Sequence, residues 1–354
     1  MLLRMVGSHM KVGIVGYAGS GKSTVFQWLT GVTPDPAKAQ EGQPGIARMP
    51  DARLDAMSAL FEPKKTTPAV LDFSDTPGLI PNERRDNPRR LGKLREANGL
   101  LIVLNGFQQT DLAKQLSSFR DELFFADLEI VMNRIGKLED TLKKARPAKE
   151  KEANQAELDL LRRINDAFEK QQTPATLGLR EDEEKIIRSF QMLTLKPELV
   201  LVNCGDDMLK SDLPADLLAL APAALKAAPK LEMELLELPE ADRQMFMDEL
   251  GLAGFAKDDV LRGIFSGMGQ IVFFTVGDDE CRSWPMPRGG TAVVGAGQIH
   301  TDLARTFVRA EVVGYNDFTR VGSMKEAKSQ GVYRLEGKTY IVQDGDIMHI
   351  LASG

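Results

Sequence analysis

The sequence is poor in the residues that build disulfide frameworks and histidine metal sites. Its 354 residues include only two cysteines, Cys204 and Cys281, and three histidines, His9, His300 and His349. Two cysteines so far apart do not form the closely spaced pattern of a small disulfide-stabilised domain, so we expect free thiols and a reducing, cytoplasmic setting. Three scattered histidines argue against a histidine metal cluster and against a histidine-based catalytic triad.

Long apolar runs and an excess of basic charge are missing as well. No stretch approaches the roughly 20 apolar residues that a helix needs to span a bilayer, so we expect no membrane contact. The formal net charge of −6 argues against a protein that coats nucleic acid through bulk charge, although it leaves room for a local basic patch. No DNA partner is therefore expected.

The composition is otherwise that of an ordinary globular protein. Hydrophobic residues make up 43% and charged residues 27% of a chain that is too long for one small core, so we expect two or three domains. Residues 1–10 lack the apolar core of a secretion signal. Because Gly7-Ser8-His9-Met10 resembles a remnant of cloning, we interpret residues 1–10 as a tag-like or disordered N-terminus.

A glycine-rich segment at residues 16–23, GYAGSGKS, matches the phosphate-binding loop G-x-x-x-x-G-K-[ST]. An apolar run at residues 12–15 predicts a strand before it, and residues 23–30 predict a helix after it that ends at Gly31. In that context backbone N–H groups and the positive end of the helix surround a β-phosphate. A plain tight turn is the alternative, which the Lys-Ser pair disfavours. The expected nucleotide contacts are Ala18, Gly19, Ser20, Gly21, Lys22, Ser23 and Thr24.

A second motif, Asp75-Thr76-Pro77-Gly78, follows a strand predicted at residues 69–74. Lys22 is expected to reach the β- and γ-phosphates, the Ser23 hydroxyl to ligate Mg²⁺, and the Asp75 carboxylate to hold the same ion through water. The Gly78 amide is placed to sense the γ-phosphate. Lys22, Asp75 and Gly78 are thus the catalytic candidates, and Ser23 and Asp75 are the metal candidates.

A third motif, Asn203-x-x-Asp206, follows a strand predicted at residues 199–202. It has the spacing of the N-K-x-D loop, in which an Asp carboxylate accepts two hydrogen bonds from a guanine edge. Asn203, Cys204 and Asp206 are therefore candidates for base recognition, and a simple turn at the end of a strand is the alternative.

The wider pattern predicts an α/β protein with an inserted helical segment. Strands at residues 100–104, 199–202 and 271–276 alternate with helices, which favours a mostly parallel sheet with ligand loops at the carboxyl ends of its strands. Residues 31–50, rich in Pro, Gly and Ala, are predicted to be a mobile surface segment. Residues 210–268 are predicted to be mostly helical.

Long charged helices are predicted from about residue 112 to residue 168. Apolar residues recur there at three- and four-residue steps, as in a helical pair, at Leu128, Val131, Ile135, Leu138 and Leu142. Pro147 breaks the pattern and predicts a hairpin tip, after which Leu158, Leu161 and Phe168 continue on the returning helix. A structural stalk and a partner-binding arm are the two interpretations. The tail at residues 278–354, with short runs separated by turns, predicts a small β-rich module.

The chain resembles the YchF (Obg-like ATPase) family of translation-factor-related P-loop proteins. The resemblance includes the phosphate loop, MPDARLDA at residues 49–56 and TLKPELVLVN at residues 194–203. Its most specific part is GQIHTDLARTFVRAEVVGYNDF at residues 297–318 with RLEGKTYIVQDGDIMH at residues 334–349, which is similar to the TGS domain. TGS is a β-grasp module implicated in RNA or ribosome contacts.

The resemblance implies three parts for the chain. A P-loop G domain with a mostly parallel sheet is expected at residues 11–111 and 195–277. An antiparallel α-helical coiled-coil arm is expected as an insertion at residues 112–194, and a TGS β-grasp domain at residues 278–354. The arm and the TGS domain are the expected contacts with the ribosome or RNA.

Several positions differ from the residues that support catalysis or base recognition in the family or in other GTPases. Gly19 stands where the family carries Asn, which bears on assistance by a monovalent cation, and Ala39 stands where the first switch has a magnesium-binding Thr. Cys204 replaces the usual GTPase Lys, and Asp206 replaces the Glu that favours ATP in this family. Leu79 stands at the position of the water-orienting Gln of many GTPases, a change that the family shares.

The function predicted from these features is slow hydrolysis of ATP, with GTP as the alternative substrate, with Mg²⁺, by a ribosome- or translation-associated switch. The family favours ATP, whereas Asp206 favours GTP. Two alternatives stay open. One is a nucleotide-binding scaffold with negligible hydrolysis, and the other is an RNA- or ribosome-binding adaptor that acts through its TGS domain.

Overall fold

The computed structural model describes residues 10–35, 37–38, 41–81, 83, 86–108 and 110–353. Residues 1–9 of the suggested N-terminal tag and Ala39 of the first switch lie outside them, whereas Met10 is the buried first residue of a strand. The strands, numbered in chain order, are β1 Met10–Val15, β2 Gln43–Arg48, β3 Lys65–Thr67, β4 Val70–Asp75, β5 Gly99–Gly106, β6 Glu198–Cys204, β7 Leu225–Ala227, β8 Gln270–Thr275, β9 Glu280–Pro287, β10 Phe307–Gly314, β11 Arg334–Glu336 and β12 Asp346–Ala352.

The helices are numbered in the same way. They are α1 Lys22–Thr30, α2 Ala52–Phe61, α3 Asn87–Leu94, α4 Leu112–Leu142, α5 Ala148–Glu169, α6 Glu181–Arg188, α7 Ala215–Leu220, α8 Pro229–Glu237, α9 Glu240–Leu250, α10 Lys257–Gly267, α11 Ala292–Ile299, α12 Thr301–Arg305, α13 Tyr315–Val321 and α14 Met324–Ser329. Among the described residues, no helix combines the length and the apolarity that a membrane crossing requires.

The first sheet has the order β2-β4-β1-β5-β6-β7 and is parallel except for β2. Its central strands are buried on both faces because helices cover both sides, and residues 99–104 of β5 are buried without interruption. Buried residues of β1 belong to two different apolar clusters, Val12 and Ile14 to one and Val15 to the other. The predicted mostly parallel α/β sheet is confirmed.

The edge strand β2 corrects the prediction for residues 31–50. Residues 43–48 of this segment are not a mobile loop, since β2 pairs antiparallel with β4 over its whole length. Its residues alternate between buried and exposed, which is the period of a half-buried strand. Pro44 is tolerated because an edge strand bonds on one side only, and Pro and Gly in this stretch hid the pattern from the sequence interpretation.

The helical arm agrees with its prediction. Helices α4 and α5 pack antiparallel, as the contacts of Phe124 with Phe168 and of Arg134 with Glu157 require. Pro147 immediately precedes α5, where its fixed φ angle suits a helix start. The predicted apolar positions of both helices share one core cluster, with Leu128, Ile135 and Leu142 at its partly buried margin.

A second sheet has the order β11-β10-β12-β8-β9-β3. The strand predicted at residues 271–276 is present as β8, but it pairs with β9 and β12 and so lies in this sheet rather than in the first. Strand β3, from the first half of the chain, joins the same sheet beside β9. The tail also contains helices α11–α14, which the predicted β-rich module did not include. The alternation of apolar and polar residues in a sequence does not show which distant strands pair. Because β3 and β8 join strands of the tail, the domain boundaries stay a prediction.

Candidate nucleotide site

The three predicted motifs meet at one edge of the first sheet. They follow β1, β4 and β6, which lie within four adjacent strands in the order β4-β1-β5-β6. These four strands are parallel, so their carboxyl ends open on the same edge, which is where open α/β sheets bind ligands. The side chains expected in the site are therefore brought together by the sheet itself.

The phosphate loop takes the conformation that its glycines permit. Gly21 precedes α1 with φ at 84°, in the left-handed region that favours glycine. A Cβ atom at Gly21 would lie 2.0 Å from Nδ2 of Asn203, so no other residue fits without displacing that side chain. Gly21 thus lets the chain turn directly into α1. The first backbone N–H groups of this helix are the donors that bind an anion at a helix N-terminus.

Lys22 lies folded over this loop and is only 6% exposed. Its Nζ donates a hydrogen bond to the carbonyl oxygen of Tyr17 at 2.7 Å. Burial lowers the pKa of Lys22 to about 8, and the nearby charge of Asp75 opposes that effect. A phosphate arriving at the loop would supply the negative charge that this buried amine lacks, because opposite charge favours the protonated form.

Ser23 and Asp75 form a pair suited to a magnesium ion. The Ser23 hydroxyl donates to Oδ2 of Asp75 at 2.7 Å, and Asp75 is 6% exposed. Burial raises the pKa of Asp75, while the hydrogen bond from Ser23 and the charge of Lys22 lower it. Oδ1 of Asp75 is buried without a hydrogen-bond partner.

This donor set fits Mg²⁺, which takes few protein oxygens and keeps water and phosphate as its other ligands. The orphaned Oδ1 is an acceptor that a metal-bound water would satisfy. Within the described ranges, no group of three or more His, Cys, Asp or Glu side chains is arranged so that it could hold a metal ion.

The Asp-Thr-Pro-Gly segment lies directly against the phosphate loop. The N–H of Leu79 donates to Gly16 O at 3.1 Å, and the N–H of Ala18 donates to Leu79 O at 2.8 Å. A Cβ atom at Gly78 would lie 2.8 Å from both Ala18 Cα and Lys22 Nζ. Leu79 itself is 1% exposed, so its apolar side chain packs inward and offers no group to orient a water molecule.

The base-loop candidates fall into different environments. Asn203 is buried, and its Nδ2 donates to Ser20 O at 3.0 Å, which ties this loop to the phosphate loop. Asp206 is exposed at the start of a 3₁₀ turn. The Cys204 thiol packs in the apolar core, where burial raises its pKa to about 11. The structure therefore does not bring the Cys204 side chain to the exposed edge.

Phe107 is a candidate that the sequence interpretation missed. It follows β5, its side chain is 44% exposed, and its ring lies 3.5 Å from the point where a Cβ of Gly21 would stand. Its Cβ lies equally close to the corresponding point at Gly205, so the ring stands between the phosphate loop and the base loop. The sequence feature that could have indicated Phe107 is an aromatic residue directly after a core strand, at the edge of the sheet where the three motifs lie.

The fold and these loops define the class of P-loop nucleotide-binding proteins with a GTPase-type domain. Residues 11–134 match the family described as 50S ribosome-binding GTPase, and residues 270–353 match the YchF-GTPase C-terminal family, described as a protein of unknown function. The chain belongs to the YchF family, which confirms the resemblance noted in the sequence.

Relatives of similar length support this assignment. The chain is 30% identical to the ribosome-binding ATPase YchF of Bacillus subtilis and 31% identical to that of Haemophilus influenzae, with 96% of this chain and 98% of each relative covered. The structure of the Schizosaccharomyces pombe YchF GTPase is similar with a TM-score of 0.81 at 24% identity, covering 99% of this chain and 100% of the other. That likeness confirms the overall fold.

Proposed function

We propose that this protein binds and slowly hydrolyses a nucleoside triphosphate, with Mg²⁺, as a ribosome-associated switch in the cytoplasm. The observation that carries the proposal is the convergence of Lys22, Ser23 and Asp75 at the carboxyl edge of the first sheet. The relatives named ribosome-binding ATPases support association with the ribosome.

Each residue has a role that follows from its position. The loop amides from Ala18 to Thr24 and the Lys22 amine would hold the β- and γ-phosphates. Ser23 would hold Mg²⁺ directly and Asp75 through water, and the bound ion would neutralise charge on the phosphate oxygens. The Gly78 amide would meet the γ-phosphate, because a Cβ built at Gly78 would lie 2.8 Å from Lys22 Nζ and from the phosphate loop. Asn203 would keep the base loop in register with the phosphate loop.

Slow turnover is expected from the same geometry. Phosphoryl transfer depends mainly on positioning and charge stabilisation, which Lys22 and the loop amides provide. Leu79 offers no group that could orient the attacking water. The rate should therefore lie far below the roughly 1–100 per second of typical kinases unless a partner completes the site.

We propose ATP as the preferred nucleotide, with relaxed specificity. The relatives carry the name ATPase, and the exposed ring of Phe107 offers a stacking surface that accepts any base. Asp206 favours guanine, since its carboxylate would accept hydrogen bonds from a guanine edge. Cys204 would contribute only through its backbone, because its thiol is buried.

A competition experiment tests the nucleotide assignment. Unlabelled ATP and GTP are titrated against a fluorescent nucleotide bound to the wild type and to Asp206→Glu. We expect both nucleotides to compete with the wild type, ATP more strongly, and the substitution to weaken GTP selectively. Competition by GTP alone would overturn the proposal.

We also propose boundaries for the domains of the chain. We propose a G domain at residues 11–111 and 195–277, a coiled-coil arm at residues 112–194 and a TGS domain at residues 278–354, with β8 pairing across the last boundary. The arm and the TGS domain would contact the ribosome or RNA. A scaffold that binds nucleotide without hydrolysis is the second candidate, favoured by the apolar Leu79.

A further inference from the structure

A groove separates the helix that follows the Asp-Thr-Pro-Gly segment from the helical arm. It has a volume of about 750 Å³ and lies between α3 and the first half of α4, with Tyr17 of the phosphate loop also lining it. Of the residues in the three motifs only Tyr17 lines this groove, and none of the proposed nucleotide or metal contacts does.

The charged side chains in the described lining of the groove are all acidic. Its described lining includes four carboxylates, Glu83, Asp121, Glu122 and Glu129, and neither lysine nor arginine. Glu83 is paired with Arg90 at 2.8 Å, whereas within the described residues Asp121 and Glu129 are exposed and make no ion pair. The pKa of Tyr17 is raised to about 12, by burial and by the charges of Glu122 and Asp121.

The face of α4 beside the groove also carries exposed apolar side chains. Phe125 is 63% exposed and Met132 is 58% exposed, and both lie away from the buried positions of α4. They alternate with Asp121 and Glu129 at four-, four- and three-residue steps, so the four residues form one stripe of the helix. The Phe125 ring meets the edge of Phe124 at 5.8 Å, but most of its surface is left open beside two carboxylates.

We propose that the groove between α3 and α4 is a docking site for a cationic, amphipathic segment of a partner protein. Lysine or arginine side chains would pair with Asp121, Glu122 and Glu129, and an apolar side chain would cover Phe125. Charge complementarity selects this occupant, since the same carboxylates repel the phosphates of RNA.

The groove is also joined to the segment that senses the γ-phosphate. Asn87, which is 2% exposed, accepts a hydrogen bond from the N–H of Ile80 at 3.2 Å and donates to Ile80 O at 2.9 Å. The same amide contacts Oε2 of Glu122 on α4 at 3.4 Å. Because Ile80 is two residues beyond Gly78, a docked segment would touch the elements that respond to nucleotide, whether or not hydrolysis occurs.

The test uses the full chain and a fluorescein-labelled peptide of arginine and leucine, with a glutamate-for-arginine peptide as its counterpart. Fluorescence anisotropy is measured for the wild type, Phe125→Ala, Asp121→Asn/Glu129→Gln and the control Glu152→Gln/Glu249→Gln. The control removes the same net charge at exposed positions outside the groove. Thermal melts of all variants check that each is folded.

We expect the wild type to bind the arginine peptide and not the glutamate peptide. Phe125→Ala should weaken binding about tenfold, as for a central aromatic contact, and the groove double variant about fivefold, as for two partly exposed ion pairs. The control should stay near the wild type. Absence of binding by the wild type, or equal weakening in the groove and control variants, would overturn the proposal. Self-association of the wild type that Phe125→Ala abolishes would instead assign the face to a second copy of this chain, which also contradicts it.

Discussion

At the scale of single residues, the candidate site depends on three polar side chains and on one glycine that leaves room for them. Ser23 and Asp75 bond to each other and leave one carboxylate oxygen without a partner, which a metal-bound water would satisfy. Asn203 spans from the base loop to the phosphate loop. Gly21 makes that contact possible, since the backbone there is left-handed and leaves no room for a methyl group.

Gly21→Ala should therefore impair nucleotide binding more than it impairs folding. The added Cβ would displace Asn203 and strain the loop, so we expect affinity for ATP to fall at least about tenfold, the effect of roughly 1.4 kcal/mol. Calorimetric titration with ATP and Mg²⁺ measures it. Gly136→Ala is the matched control, because an added methyl group in α4 meets no neighbour within 4 Å. Equal affinity of Gly21→Ala and wild type would contradict the assigned role.

At the scale of elements, a buried carboxylate of α4 ties the arm to the segments that lead into β5 and β6. Asp127 of α4 is 1% exposed and accepts hydrogen bonds from Nη1 of Arg95 at 2.6 Å and from the N–H groups of Leu193 at 3.1 Å and Thr194 at 2.8 Å. These contacts join α4 to the segment that leads back into β6. A buried acceptor with several donors is costly to remove, because the donors are left without a partner.

Asp127→Ala should lower the free energy of unfolding by about 3 kcal/mol. Asp127→Asn keeps part of the hydrogen bonding and should lose less. Urea unfolding followed by circular dichroism measures both, with Asp140→Ala as an exposed control on the same helix. A loss from Asp127→Ala no larger than that from the control would show that this junction does not anchor the arm.

The second sheet contains a carboxylate, Glu311, whose contribution to the free energy of unfolding depends on pH. Burial raises the pKa of Glu311, but hydrogen bonds with His349, Tyr333 and Lys328 outweigh it and lower the pKa to about 2. Because the folded-state pKa lies below the ordinary value of 4.5, the stabilisation is complete above about pH 4.5 and is lost as the pH falls towards 2.

Glu311→Gln should thus destabilise the protein by about 1 kcal/mol at pH 7 and by less at pH 3. Urea unfolding at both pH values gives the difference, and Glu249→Gln, at an exposed position, serves as the control. A difference between wild type and Glu311→Gln that grows at low pH would have the wrong sign for this account.

At the scale of the whole molecule, the sequence predicts what depends on neighbouring residues and misses what depends on distant pairing. That Lys22, Asp75 and Asn203 lie near one another could be predicted because each motif is short and follows an apolar strand, and their roles in binding stay a prediction. The helical arm could be predicted from the apolar periodicity of Leu128 to Leu142 and from Pro147. The edge strand β2 was missed because Pro and Gly interrupt its alternation, whereas the place of β8 in the second sheet depends on β12, which is far away in sequence. Phe107 was missed for the same reason, since only the sheet order brings it beside Gly21 and Gly205.

The central claim is that Lys22, Ser23 and Asp75 form a site that hydrolyses a triphosphate as well as binding it. Release of phosphate from ATP with Mg²⁺, measured with and without ribosomes and compared with Lys22→Ala, tests it most directly. We predict slow release by the wild type that ribosomes accelerate and that Lys22→Ala abolishes. Release that never exceeds that of Lys22→Ala, in either condition, would contradict the claim and leave a nucleotide-binding scaffold.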